Sequence, residues 1–142
     1  MSKTYVPQAL RQKVAEQARH RCGYCLTAQR LSGMLLTIEH LLPEARGGKT
    51  DEDNLWLACV DCNDYKGDRI EAVDPVTGEV IKLFDPRHQR WGEHFAWNEQ
   101  GDEIVGRTAI GRATVIALRL NRPFLVQARQ IWVKTGEHPP KD

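Results

Sequence analysis

Between Pro7 and His20 apolar residues recur at every fourth position, Leu10, Val14 and Ala18. That spacing predicts an amphipathic helix over 7–20 with Pro7 in its first turn. A CGYC turn follows at 22–25, and the run MLLTIEH at 34–40 is apolar and β-branched enough for a strand. PEARGGKTDEDN, 43–54, gathers proline, paired glycines and several acids, the composition of a surface loop. Apolar residues return in NLWLAC, 54–59, and a short helix is expected to open after Cys62. Farther on, DPVTGE (74–79) and NEQGDE (98–103) read as turns, the second between strands HFAW and IVGR. Thr108 suits the cap of a helix beginning near 109. Asn121 suits another, ahead of a helix with Phe124, Leu125, Ala128, Ile131 and Trp132 on one face.

A chain of 142 residues is one domain's worth, and no repeat, low-complexity tract or clear linker divides it, so a single domain over 1–142 is expected. Apolar and charged fractions of 41% and 27% are ordinary for a globular protein. No apolar stretch approaches the roughly 18 residues of a membrane span, and no apolar segment follows the basic N-terminus, so neither membrane nor secretory signal is expected. A reducing cytoplasm is then the default compartment, where four cysteines more often bind metal than pair as disulfides.

Net charge is only +1, but its distribution is uneven. Residues 1–30 carry six bases and one acid, and 104–136 carry six bases and no acid, while acids outnumber bases between them. Basic ends are suited to a polyanion and an acidic centre to a cation, although arginines that merely solvate helix faces are an equal reading.

The cysteines sharpen this picture. Cys22 and Cys25 form one CxxC pair, and Cys59 and Cys62 form another. Each spacing lets a tight turn aim two sulfurs at one point, and two such knuckles complete the closed tetrahedral site of structural zinc. With every position taken by protein, that zinc clamps the ends of the 26–58 insertion and stabilises folding rather than meeting substrate. A redox CxxC or disulfides are the rival readings of a single pair; two pairs favour zinc.

Between and after the knuckles the chain reads EHLLPEARGGKTDEDNLWLACVDCNDYKGDR. With CGYC before it, this stretch resembles the HNH endonuclease motif framed by four zinc cysteines, from about Cys22 to Arg69. The tail LFDPRHQRWGEHFAW…GRATVIALRLNRPFLVQARQIW also resembles stand-alone bacterial HNH proteins, without a role for any residue there. The resemblance implies an α+β fold: a zinc-organised ββα-metal core over 20–70, a flanking N-terminal helix, and a C-terminal hairpin plus helices in an extension over 80–135.

Roles follow the motif residue by residue. His40 matches the general base that takes a proton from water, a task suited to an imidazole with an unperturbed pKa of about 6.5. Glu39 matches the acid that binds the catalytic metal. Asn54 matches the asparagine that orients the base and its loop. Asn63 stands where the family has its last histidine or an asparagine, and would bind metal through its amide oxygen. Lys66 and Arg69, three and six residues beyond Asn63, are candidate phosphate contacts from charge and position. One carboxylate and one amide favour Mg²⁺ or Mn²⁺ over metals that prefer imidazole. Because neighbours on a strand face opposite ways, Glu39 and His40 are expected where the strand ends and the backbone turns.

The implied activity is metal-dependent hydrolysis of DNA phosphodiesters to 5′-phosphate and 3′-hydroxyl ends. No element declares itself as a groove reader, so low sequence specificity is expected, held by salt-sensitive phosphate contacts. A non-catalytic zinc-organised nucleic-acid-binding module is the alternative; it need not keep Glu39, His40, Asn54 and Asn63 together. His88 and His94 read first as packed or surface histidines, and Trp56, Trp91, Trp97 and Trp132 as core anchors. Arg19, His20 and Arg21 border the first knuckle, where a phosphate contact and a solvated turn are equal readings.

Overall fold

In the computed structural model, which describes residues 5–141, the apolar pattern folds into short helices and three two-stranded antiparallel sheets, an α+β arrangement. Lys3, counted among the N-terminal bases, lies outside the described residues. The chain divides into two compact units: residues up to Ile70 together with Asp85–His88, and Glu71–Phe84 together with residues from Gln89 onward. No described helix is long and apolar enough to cross a membrane.

In the first unit α1 spans Gln8–Gln17, with Pro7 just outside it as the N-cap rather than in its first turn. Val14 is fully buried and packs with Val6, Leu55, Leu10 and Ile38, so the predicted stripe faces a hairpin. After the short α2 (Gln29–Ser32), β1 (Leu36–His40) pairs with β2 (Leu55–Cys59) in a register that sets Glu39 opposite Trp56 and His40 opposite Leu55. The connecting loop contains two single turns of 3₁₀ helix, at Glu44–Arg46 and Glu52–Asn54. Helix α3 spans Val60–Lys66, beginning before Cys62 and not after it. The reason is local: Cys59 caps it, its sulfur accepting the Cys62 N–H at 3.4 Å, so the second knuckle is itself the first turn of the helix. Gly67, at φ +55°, ends α3, which leaves Arg69 outside the helix.

In the second unit β3 (Glu71–Val73) and β4 (Val80–Lys82) flank the turn at 74–79. Helix α4 (Trp91–His94) leads into β5 (Phe95–Trp97), paired with β6 (Ile104–Gly106) across the predicted turn at 98–103. Thr108 caps α5 (Ala109–Ala117) as expected, accepting the Gly111 N–H at 3.1 Å. Helix α6 spans Pro123–Lys134, but Asn121 does not cap it. Its amide instead exchanges two hydrogen bonds with the Ile104 backbone, at 2.7 and 2.8 Å. The buried face of α6 also differs from the apolar pattern. Leu125 and Arg129 are buried, whereas Phe124 and Ile131 are 85% and 62% exposed. Arg129 earns its interior position by donating to the Leu120 and Asp102 carbonyls and to Asn121 Oδ1, with its guanidinium over the Trp97 ring. An arginine is driven inward here because fixed carbonyls match its planar fork.

Candidate active site

Two adjoining sites are built on the β1–β2–α3 unit. The first is the cysteine cluster. Cys22, Cys25, Cys59 and Cys62 are all buried and none is in a disulfide, with their sulfurs within 4.8 Å of one another. A tetrahedral zinc with bonds of about 2.3 Å sets its sulfurs roughly 3.8 Å apart, and Cys25 Sγ lies 3.9 Å from Cys59 Sγ. Backbone N–H groups already face two of the sulfurs, Tyr24 to Cys22 and Cys62 to Cys59. Burial pushes the Cys22 thiol up, whereas bonds with neighbouring sulfurs, Cys22 first, pull Cys25 down. Four crowded thiolates need a cation between them, so the donor set fits zinc. Gly23 is required by packing: a Cβ there would collide with the Trp56 ring and Pro86.

The second site is a cavity of about 400 Å³ at the loop end of the hairpin, lined among others by Glu39, His40, Glu44 and Asn63. His40 is the last residue of β1, so the pair stands at the strand's end as expected, and both residues line the cavity. Its Nε2 lies 2.9 Å from Thr50 Oγ1 and 3.4 Å from Glu44 Oε1, with 16% of the side chain exposed. Asn54 is committed wholly to the loop: Oδ1 accepts the Leu42 N–H, and Nδ2 donates to the Leu42 and Lys49 carbonyls. These three bonds fold residues 42–49 beneath His40. Gly48 belongs to the same closure, since a Cβ there would run into the Leu42 carbonyl and crowd the Asn54 amide.

Glu39 points away from water and is only 3% exposed. Both its oxygens accept the Tyr24 hydroxyl, at 2.7 and 2.9 Å, and Oε1 pairs with Lys66 Nζ at 3.0 Å. Burial raises the Glu39 carboxyl above its usual range, opposed by Lys66 and Tyr24; burial, then the Glu39 charge, raises the Tyr24 hydroxyl as well. Lys66 is as buried as its partner and also donates to the Leu41 carbonyl at 3.2 Å. Arg69 turns back on α3, donating to the Tyr65 and Lys66 carbonyls. Neither Lys66 nor Arg69 lines the cavity. Glu39 and Asn63, a carboxylate and an amide, both line the cavity. In this geometry the Lys66 ammonium already neutralises the carboxylate.

Residues 22–69 match the family model described as HNH endonuclease. The likeness to HNH endonucleases covers this segment, about a third of the chain. No curated protein and no solved structure matches the chain. The β1–β2–α3 arrangement around the cavity and the buried four-cysteine cluster are the parts of that HNH core seen here.

Several residues that hold the HNH core together were not singled out for that task by the sequence reading. Tyr24 ties the first knuckle to Glu39. Arg87 donates to the Leu55 carbonyl at 2.9 Å and to Gln17 Oε1 at 2.7 Å, and lies over the Trp56 ring. His88 bridges Asp85 and Asp53 at 2.8 and 2.9 Å, the second being the neighbour of Asn54. Bonds to Asp53 first, then Asp85, raise the His88 pKa. His94 is a packed histidine, bonded to Thr108 Oγ1 and edge-on to Phe84. The only sequence signal for the 85–88 segment was its place in the tail that resembles other HNH proteins.

Proposed function

We propose that this protein is a metal-dependent endonuclease that hydrolyses DNA phosphodiesters to 5′-phosphate and 3′-hydroxyl ends. The observation that carries this reading is the meeting of Glu39, His40 and Asn63 at one cavity, above a loop fixed by Asn54. His40 acts as general base, taking a proton from the attacking water; Asn54 keeps its loop in place; Glu39 and Asn63 hold Mg²⁺ or Mn²⁺. When bound, that ion neutralises charge building on the scissile phosphate and the leaving oxygen. The four cysteines hold a structural zinc that keeps β1 and α3 in register. With no element committed to base edges, specificity is low.

A second reading, a zinc-organised nucleic-acid-binding module without catalysis, is favoured by the closed Tyr24–Glu39–Lys66 set. It predicts that Glu39 never exchanges Lys66 for a metal ion. Nicking of supercoiled plasmid in EDTA, Mg²⁺ and Mn²⁺ separates the two readings, with wild type beside His40→Ala and folding and zinc content checked in both. Metal-dependent nicking lost in the folded variant supports the nuclease. Binding without nicking in either protein supports the module, and equal nicking in both removes His40 from its role.

A further inference from the structure

Hydrolysis of a phosphodiester needs a cation beside the scissile group, and three basic residues of the motif segment already have protein partners. Lys66 is buried on Glu39, Arg69 is folded onto α3, and Arg46 donates through Nε to the Asp68 carbonyl at 2.6 Å. The cavity wall instead carries Glu39, Glu44, Asp64 and Asp68, an acidic surround that repels a phosphate. Among the described residues one lysine or arginine lines it, and that residue comes from α1: Arg11. The Arg11 side chain is exposed, and its Nε is anchored on the Val6 carbonyl at 3.1 Å. That single bond fixes the stem while using none of the Nη donors of the fork.

Arg11 also lines a second, larger depression of about 780 Å³ between α1 and the hairpin, and Ile38 is shared by both. Along this groove stand Tyr5, Gln8, Gln12, Glu16, His20 and Gln29, an aromatic ring, three amides, one carboxylate and an imidazole beside an apolar floor. Tyr5 is 76% exposed. We infer that Arg11 is the phosphate-binding residue of the cleavage site and that the α1 groove carries the nucleic-acid strand leading away from it. The inference rests on the nuclease reading above and adds a substrate path to it. Continuity through Arg11 supplies the register, and the mixed aromatic and amide wall suits bases and sugars rather than a second acidic ligand.

The test uses a fluorescein-labelled DNA duplex of mixed sequence, titrated over a series of salt concentrations with the full chain in a His40→Ala background. Arg11→Gln removes the charge, and Gln12→Glu adds a repelling charge in the groove while leaving the Arg11–Val6 bond intact. Thermal melts of both variants identify loss of fold. The expected result is binding weakened roughly tenfold by Arg11→Gln, the scale of one charge-assisted hydrogen bond, with the log–log salt slope smaller by about one. Gln12→Glu weakens binding in the same direction, and Arg11→Lys restores the slope. Parent-like affinity and slope in both variants, with a wild type that still cleaves, overturns the inference alone. A wild type that neither binds nor cleaves overturns the nuclease reading and this inference with it.

Discussion

Lys66 illustrates how one contact decides a residue's task. Its ammonium is buried against a buried carboxylate, and removing one partner of such a pair leaves the other charge uncompensated. Lys66→Met is expected to cost about 3–5 kcal/mol, read as a lowered denaturation midpoint. A surface phosphate contact at Lys66 would leave that midpoint unchanged while weakening DNA binding, so the two measurements together test the assignment. Gly48 is equally constrained, since the Leu42 carbonyl occupies the space a side chain needs. Gly48→Ala is expected to destabilise the loop by about 2 kcal/mol. Because the Asn54 clamp is part of the same closure, nicking should fall by more than the melting temperature alone accounts for.

The short helices and hairpins survive through cross-ties between them. Segment 85–88 is one such tie: Arg87 holds the start of β2 through the Leu55 carbonyl, opposite His40 in the register. Arg87→Ala removes two hydrogen bonds and the contact with Trp56, with an expected loss of about 2 kcal/mol in chemical denaturation. Faster amide exchange at the His40–Leu55 end of the hairpin should accompany it. The second unit has its own tie, Arg112 from α5 to Asp74 at the end of β3, with two bonds of 2.8 and 2.9 Å. The Arg112 guanidinium holds the Asp74 carboxyl well below the usual carboxylate range. An acid with a depressed folded-state pKa contributes stability that is fully present above its unfolded value, about 3.9, and is lost as pH falls toward the folded value. Wild type should therefore lose melting temperature more steeply below about pH 4 than Asp74→Asn, which starts lower at neutral pH and responds less.

Both the cysteine cluster and the cavity belong to the first of the two units. Chelation of zinc is expected to release amide protection across β1, β2 and α3 while amides of β5, β6 and α5 stay protected; uniform loss across the chain would contradict this. The same division marks what could be read from residue order. The two CxxC knuckles, the turn at 98–103, the Thr108 cap and the α1 stripe were legible because each depends on neighbours within a few positions. The place of Glu39 and His40 at the end of β1 followed from strand alternation and a shared site. Other features depend on partners that only folding brings close. Asn121 left its cap position for Ile104, 17 residues back, and Arg87 found Leu55 at a separation of 32. Arg129 went inward while Phe124 and Ile131 stayed out, because carbonyls of Asp102 and Leu120 converged where an apolar face was expected. Lys66, read as a phosphate contact, met a buried carboxylate instead, and Arg11, unremarkable in the sequence, came to line the cavity. Spacing and local chemistry determine which residues can form a metal knuckle, a cap or a turn. The destination of a long charged side chain is set by the fixed carbonyls and carboxylates that tertiary contacts bring within its reach.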